Sequence, residues 1–267
     1  MATVALRVSS VTPSTMLSPF HALVFRPGLD LDAVVCASAE PDGDVSGPGP
    51  SARVLMDRNA GPGRYHRARS TLADWIGDGT LRERPDPQLF TYTIETGDGP
   101  GLTGLVGLAD PGVMLPHEQI DDRRVGERTE HLDATGLQVA PVLAVAELEP
   151  FRPGPTTVVA AQVGRAHHRL TEAGTGSAPS AGWMVLADGH HRAAAARRSG
   201  QPLLVMLVAI DDPGLLLRAH PGEPAGLVDR QAVVAAALTG VPLPPKSTWF
   251  EPKPCAGLVM VRARGWR

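Results

Sequence analysis

Aromatic residues and cysteines are both scarce in this sequence. Phe, Trp and Tyr together make up 4% of the 267 residues, so the sequence predicts a core built mainly from Val, Leu and Ala. The two cysteines, Cys36 and Cys255, stand far apart and form neither a CxxC motif nor a disulfide framework. This cysteine usage predicts a reducing, cytoplasmic location.

Long hydrophobic runs and an excess of positive charge are also missing. No apolar run reaches the roughly 18 residues of a membrane-spanning helix, and the N-terminal stretch has no continuous apolar segment of the signal-peptide type. The chain has 25 Lys and Arg against 28 Asp and Glu, a net charge of −3. A general nucleic-acid-binding domain usually carries a basic excess. We therefore expect neither a membrane nor a nucleic acid as a partner.

Turn-forming residues are abundant, with 29 Gly and 26 Pro, while 43% hydrophobic and 20% charged residues are typical of a globular protein. Periodicity predicts a helix over 65–78, and two strands over 89–95 and 102–108 that form a hairpin. Strands then alternate with helices, although 152–181 fits either. The pattern predicts an α+β (mixed α/β) fold. We expect an N-terminal α+β region with a long Gly/Pro-rich loop at 1–100, and a core at 101–267.

The motif most suggestive of function is DGHHR, at Asp188, Gly189, His190, His191 and Arg192. It follows an apolar strand and opens an alanine-rich helix. A glycine turn before a helix presents free backbone N–H groups, and basic side chains add positive charge, as phosphate binding requires. The alternative is an ordinary helix start that Asp188 caps. Basic residues in a first turn oppose the helix dipole, which favours the phosphate site.

Three further groups are weaker candidates. Pro116, His117 and Glu118 put a carboxylate beside an imidazole, which suits a general base, a phosphate contact or a metal pair. Arg128 and His131 share one face of a predicted helix and, taken alone, fit a solvated basic face. The sequence PPKST, with Lys246, resembles the end of a P-loop, but the glycines of a Walker A motif are absent. Adjacent histidine pairs rarely supply two ligands to one ion, so zinc is not favoured.

Four segments in order carry a family resemblance: LSPFHALVFRPG, GVMLPHEQIDDRRVGERTEHLDATGLQVAPV, LADGHHRAAAA and PPKSTWFEPKPCAGLVM. They resemble successive signatures of the DUF1015 family. The central stretch is also similar to the ParB/sulfiredoxin-like fold, whose members include CTP-dependent partition proteins, sulfiredoxins and free serine kinases that use ATP or ADP. A sulfiredoxin requires a cysteine where this chain has His190.

The resemblance to the kinases implies a role for each of these residues. Glu118 would be the base, His117 would contact phosphate or substrate, and Asp188 would orient the loop or bind Mg²⁺. The residues implied to hold the nucleotide phosphates are Gly189, His190, His191, Arg192, Arg128, His131 and Lys246.

We therefore expect a nucleotide-dependent phosphotransferase that acts on the hydroxyl of a small metabolite, with free serine or a related hydroxy amino acid as acceptor. ATP or ADP and Mg²⁺ are the implied cofactors. A homodimer is one assembly for which the protein can be tested. The alternatives are a non-catalytic nucleotide-binding or regulatory protein and, with less support, a metal-dependent hydrolase.

Overall fold

The structure is a computed structural model. It describes residues 16–35, 52–56, 63–97, 99–148, 153–173, 183–219, 230–240 and 248–262. The Gly/Pro-rich stretch 36–51, the segment 174–182 and Lys246 lie outside the described residues.

An eight-stranded mixed sheet forms the centre of the described structure. In spatial order its strands are β5, β10, β7, β11, β4, β3, β9 and β8. Along the chain they span Phe90–Thr96 (β3), Leu102–Ala109 (β4), Met114–Leu115 (β5), Val142–Ala146 (β7), Pro153–Val163 (β8), Ala166–Ala173 (β9), Met184–Asp188 (β10) and Leu203–Ala209 (β11).

Two pairs of strands in this sheet run parallel, β5 with β10 and β7 with β11, while the other neighbours are antiparallel. The remaining strands form three two-stranded sheets. These pair β1 (Leu23–Phe25) with β2 (Leu81–Glu83), β12 (Leu216–Ala219) with β13 (Thr248–Glu251), and β6 (Leu137–Gln138) with β14 (Val261–Arg262).

Helices cover part of the sheet and position its loops. They span Leu31–Val34 (α1), Arg64–Gly77 (α2), Asp122–Thr135 (α3), His190–Arg198 (α4) and Arg230–Thr239 (α5), with short 3-10 helices at Ala52–Leu55 and Pro111–Val113. Helix α3 contacts both α2 and α4. Asp121 caps α3 by accepting hydrogen bonds from the N–H groups of Arg123 and Arg124, and Gly136 ends it in the left-handed conformation.

The core lies on both faces of the sheet, as β11 shows. Leu204, Met206 and Val208 pack into one buried cluster. Their neighbours Leu203, Val205 and Leu207 pack into another. Because successive side chains of a strand point to opposite faces, a strand covered on both sides is apolar throughout. This explains the unbroken hydrophobic run that predicted a buried strand here.

The α+β fold class is confirmed, as are the hairpin of β3 with β4 and the helices α2, α3 and α4. Residues 152–181, which fitted either helix or strand, contain the antiparallel pair β8 and β9. The domain boundary expected at residue 100 falls in the connection between β3 and β4, which are neighbours in one sheet.

Candidate functional site

The PHE segment and the DGHHR segment meet because they leave neighbouring parallel strands. Met114 of β5 pairs with Met184 of β10, and Leu115 pairs with Val185. The carboxyl ends of parallel strands lie at the same edge of a sheet. The residues after each strand, 116–118 and 189–192, are therefore brought together although about 70 positions separate them in the sequence.

His117 connects the PHE segment to β10 and to the DGHHR segment through hydrogen bonds. Its side chain is fully buried, and Nδ1 donates a hydrogen bond to the carbonyl oxygen of Leu186 at 2.7 Å. Its backbone N–H donates to Nε2 of His190 at 3.3 Å. The two imidazole rings pack edge to face, with their centroids 4.6 Å apart. His117 thus holds the PHE turn against β10 and the start of α4.

Glu118 lies between these two imidazoles. Its Oε2 is 3.5 Å from Nδ1 of His190, and its Oε1 is 3.8 Å from Nε2 of His117. Because Nε2 of His190 accepts a hydrogen bond, the neutral ring carries its proton on Nδ1, which faces the carboxyl group. Nδ1 of His117 donates, so the lone pair of its neutral ring is on Nε2, which also faces Glu118.

The site favours the uncharged forms of the Glu118 carboxyl group and of the His117 and His190 imidazoles. Burial, reinforced by the negative charge of Asp188, raises the pKa of Glu118 to about 7, although the positive charge of Lys253 lowers it in part. Burial together with the neighbouring His117 lowers the pKa of His190 to about 3. Burial also lowers the pKa of His117. At neutral pH, Glu118 is therefore a carboxyl group poised to exchange a proton beside two neutral imidazoles.

Asp188 at the end of β10 lies between two cations. Its Oδ1 is 2.6 Å from Nζ of Lys253, and its Oδ2 is 3.2 Å from a terminal nitrogen of Arg192. Burial would raise the pKa of Asp188, but the positive charges of Lys253 and Arg192 outweigh burial and hold the pKa below its usual value. Asp188 therefore stays ionised. Because both of its oxygens face a cation, the geometry of Asp188 does not fit a magnesium ligand.

Arg192 is held by the two backbone carbonyl groups that come directly before the neighbouring strand β7. One terminal nitrogen of its guanidinium donates to the carbonyl oxygens of Ala140 at 2.9 Å and of Pro141 at 3.1 Å. Because β7 runs antiparallel to β10, its first residues lie at the edge where β10 ends. The structure thus shows Arg192 connecting this edge to α4. Its predicted contact with phosphate stays a prediction.

Gly189 makes the turn from β10 into α4, as the sequence predicted. Its φ of +96° belongs to the left-handed region that favours glycine. A Cβ atom at this position would lie 2.5 Å from Cγ1 of Val142. Among the described residues, no side chain caps the N-terminus of α4. The helix therefore presents its first turn, with its partial positive charge, beside Glu118.

A pocket of about 380 Å³ opens beside Glu118 and follows α4. Its apolar lining comes from the loop after β5, from Leu186 of β10 and from two alanines of α4, and its polar lining includes Glu118, His190 and Arg197. This volume falls in the range of about 300–1,000 Å³ that is typical of small-molecule sites.

Residues 51–173 match the family model DUF1015, described as a protein of unknown function. The match supports the DUF1015 resemblance over this part of the chain, which is a little under half of it and includes His117 and Glu118. The DGHHR segment lies beyond the matched residues. No curated protein and no solved structure matches the chain.

Among the described residues, the predicted binding residues Arg128, His131 and His191 are not part of this cluster. Arg128 and His131 line a separate, smaller pocket with Arg192, and Nε2 of His131 lies 2.6 Å from the carbonyl oxygen of Leu55. His191 turns toward α3, where its Nε2 accepts a hydrogen bond from the N–H of Asp121. The sequence analysis missed Lys253, while Lys246, which it included, lies outside the described residues. The Pro-Lys-Pro sequence around Lys253, which restricts the backbone on both sides of the lysine, could have drawn attention to it.

Metal-ligand clusters and membrane-spanning helices are both missing from the part of the chain that the structure describes. In that part of the chain, no group of three or more His, Cys, Asp or Glu side chains could hold a metal ion. None of the described helices has the length and apolar character needed to cross a bilayer.

Proposed function

We propose that this protein is a nucleotide-dependent phosphotransferase that transfers a phosphoryl group to the hydroxyl of a small metabolite. The observation that carries the proposal is the Glu118 carboxyl group, with a pKa of about 7, beside the first turn of α4. A general base works best when its pKa is near the working pH. The start of a helix is suited to hold anionic phosphates.

The proposed roles follow from these positions. The backbone N–H groups at the start of α4 hold the phosphates, and Lys253 contributes positive charge next to them through its contact with Asp188. Glu118 in its ionised form accepts the proton of the acceptor hydroxyl as the oxygen attacks the terminal phosphoryl group. The P–O bond between that group and the rest of the nucleotide breaks, which releases ADP from ATP or AMP from ADP. Phosphoryl transfer depends mainly on such positioning and on charge neutralisation.

The donor and acceptor are proposed from the sequence resemblance of the PHE and DGHHR segments to free serine kinases and to the ParB/sulfiredoxin-like fold. ATP or ADP is the donor, and free serine or a related hydroxy amino acid is the acceptor. The agreement between that resemblance and the meeting of the two segments at one sheet edge supports this proposal.

A screen of phosphoryl transfer followed by ³¹P NMR tests the proposal. It crosses ATP, ADP and CTP with a panel of hydroxy amino acids and sugars. We expect a new phosphate-ester resonance with wild-type protein and a strongly reduced rate with Glu118→Gln. Transfer that proceeds equally fast in both proteins contradicts the assigned base.

Non-catalytic nucleotide binding is the second candidate, and the contacts of Arg192 favour it. The guanidinium of Arg192 is engaged by two carbonyl oxygens and Asp188, so the cationic assistance that phosphoryl transfer needs is reduced. Calorimetric binding of a nucleotide, combined with no transfer to any acceptor in the panel, would establish this candidate instead.

A further inference from the structure

The pocket beside α4 has a polar group at each end, and its remaining lining is apolar apart from Gln119. His190 is the first residue of α4, and Arg197 lies seven positions later, which is about 10 Å along a helix axis. Glu118 lies at the His190 end, with 3.5 Å between their nearest polar atoms. The apolar residues that line the pocket are Met114, Pro116, Ile120, Leu186, Ala193 and Ala194.

Two alanines of α4 create the space between the polar ends. Ala193 and Ala194 line the pocket, and larger side chains at these positions would fill it. Ile120 lines the same pocket and leaves 44% of its surface exposed. An apolar segment of a ligand that covers these side chains removes apolar surface from water, which favours binding.

At the other end of the pocket, one hydrogen bond holds the side chain of Arg197 in place. A terminal nitrogen of its guanidinium donates to the carbonyl oxygen of Pro111 at 2.6 Å. Pro111 begins a 3-10 helix that Asp110 caps through the N–H of Gly112. A guanidinium has five N–H donors in a planar fork, so a contact to one carbonyl leaves donors that can bind a carboxylate. Arg197 is exposed to solvent at this end of the pocket.

From this arrangement we infer that the pocket binds a hydroxylated carboxylate with an apolar chain between the two groups, placing its hydroxyl at Glu118 and its carboxylate at Arg197. The role of the hydroxyl end rests on the proposed function, in which Glu118 is the base. Such an acceptor is longer than serine, whose hydroxyl and carboxylate are too close together to reach both ends of the pocket. The inference therefore keeps the phosphotransferase of the proposed function but replaces free serine as its acceptor with a longer hydroxy acid.

Binding measured without nucleotide tests the inference separately from phosphoryl transfer. The probes are 6-hydroxyhexanoate, 1,6-hexanediol, hexanoate and serine, titrated into the full chain by calorimetry at pH 8, where Glu118 is mainly ionised because its pKa is about 7. We expect 6-hydroxyhexanoate to bind more tightly than the diol by about 2- to 5-fold, the range for an ion pair that solvent reaches, because Arg197 is exposed. Hexanoate and serine should bind more weakly than 6-hydroxyhexanoate.

Arg197 and Arg198 provide a matched pair of variants. Arg197→Gln keeps a donor for Pro111 but removes the charge, so 6-hydroxyhexanoate should bind no better than the diol. Arg198 is half exposed and pairs with Asp122, so Arg198→Gln should keep the wild-type preference. Ala194→Leu fills the pocket and should weaken 6-hydroxyhexanoate binding in a folded protein, which gives a second test that does not depend on Arg197.

Three results would overturn the inference: equal binding of the diol and 6-hydroxyhexanoate by wild type, an equal loss in both arginine variants, or unchanged binding in folded Ala194→Leu. Failure of the proposed function gives a different result. Tight binding of 6-hydroxyhexanoate with no phosphoryl transfer contradicts the kinase but supports the pocket. Transfer to serine without 6-hydroxyhexanoate binding contradicts the pocket alone.

Discussion

Nζ of Lys253 lies 2.6 Å from Oδ1 of Asp188, although 65 positions separate the two residues. The contact connects the C-terminal segment to the end of β10, at the point where the chain turns into α4. It also places a cation close enough to Glu118 to lower the pKa of that carboxyl group. Lys253 therefore influences both carboxyl groups of the candidate site.

Replacing Lys253 should shift the titration of Glu118. In Lys253→Met the cation is lost, so the pKa of Glu118 should rise above its value of about 7. The pKa of Asp188 should also rise, because Lys253 is the principal charge that lowers it. Carbon-13 NMR titration of the carboxyl groups, assigned with Glu118→Gln and Asp188→Asn, measures both shifts.

Lys253→Arg is the matched control because it keeps the positive charge next to Asp188. Its two carboxyl titrations should stay close to those of the wild type. Unchanged titrations in Lys253→Met would show that the contact with Asp188 has no electrostatic effect on the site.

Substitution of Gly189 should show whether this position needs glycine because of the nearby Val142 side chain or only because of its left-handed backbone conformation. Gly189→Ala introduces a Cβ atom 2.5 Å from Cγ1 of Val142 in a left-handed backbone conformation. Gly200→Ala places alanine at a φ of +64° with nothing within 4 Å of the new Cβ. Gly200→Ala should cost about 1 kcal/mol of unfolding free energy from backbone strain alone, and Gly189→Ala clearly more. Urea unfolding measures both, and equal losses would contradict the close approach of Val142.

Local patterns predicted much of this fold because they are properties of single elements. The 3.6-residue period of 65–78 follows from one buried face of a helix, and the glycines at 136 and 189 mark a helix end and a helix start. Glu118, His117 and Asp188 were chosen from two short motifs, and the structure brings these three residues together.

The remaining features depend on contacts between distant parts of the chain. Nothing local indicates that β5 pairs with β10, although that pairing creates the site. Lys253 reaches Asp188 only because the tail folds back to this edge, so its sequence neighbourhood does not reveal the contact. Similarly, Arg192 resembles a free cation at a helix start until the carbonyl groups of Ala140 and Pro141 are placed next to it.

Removal of the Tyr92 hydroxyl should loosen the segment that carries Lys253. The hydroxyl oxygen of this fully buried tyrosine accepts a hydrogen bond from the N–H of Cys255 at 3.0 Å and lies 3.1 Å from Nδ1 of His168. In Tyr92→Phe a buried N–H loses this partner, which should cost about 1–3 kcal/mol of unfolding free energy. Urea unfolding measures the loss.

The other tyrosine of the chain provides the control for Tyr92→Phe. The hydroxyl of Tyr65 donates to the carbonyl oxygen of Glu127 in a partly buried position, so Tyr65→Phe should cost less. If Lys253 is displaced in Tyr92→Phe, the pKa of Glu118 should also rise, whereas Tyr65→Phe should leave it unchanged. An unaltered Glu118 titration in both variants would contradict the positioning of Lys253 by Tyr92.

Replacement of Arg192 by alanine should reduce the stability of the protein as well as any affinity for nucleotide. The guanidinium donates to two backbone carbonyl oxygens and to Asp188, and hydrogen bonds from charged groups are each worth about 1.5–3 kcal/mol. Arg198→Ala, which removes an exposed arginine of the same helix, is the control and should cost under about 1 kcal/mol. Thermal unfolding and nucleotide calorimetry together measure the two effects. Unchanged stability in Arg192→Ala would contradict the contacts with Ala140 and Pro141.

Glu118→Gln should change both the pH dependence of stability and the rate of phosphoryl transfer. The pKa of Glu118 rises from an ordinary 4.5 to about 7 on folding, so the folded protein binds more protons than the unfolded chain between these pH values. Folding stability therefore falls as the pH rises through this window, and the glutamine variant lacks this loss. The stability of Glu118→Gln relative to the wild type should increase from pH 4.5 to pH 7 and then level off.

Activity provides the second measurement on the same variant. The wild type should show an acidic limb in kcat/KM with a midpoint near the pKa of about 7, because only the ionised carboxylate accepts the hydroxyl proton. Glu118→Gln should lose this limb together with about 10²–10⁴-fold in kcat, while nucleotide affinity changes little. If the stability difference follows pH as described but the limb and the rate persist, Glu118 is a buried carboxyl group without a catalytic role. The proton acceptor would then have to be another group, and nucleotide binding without transfer would become the stronger candidate.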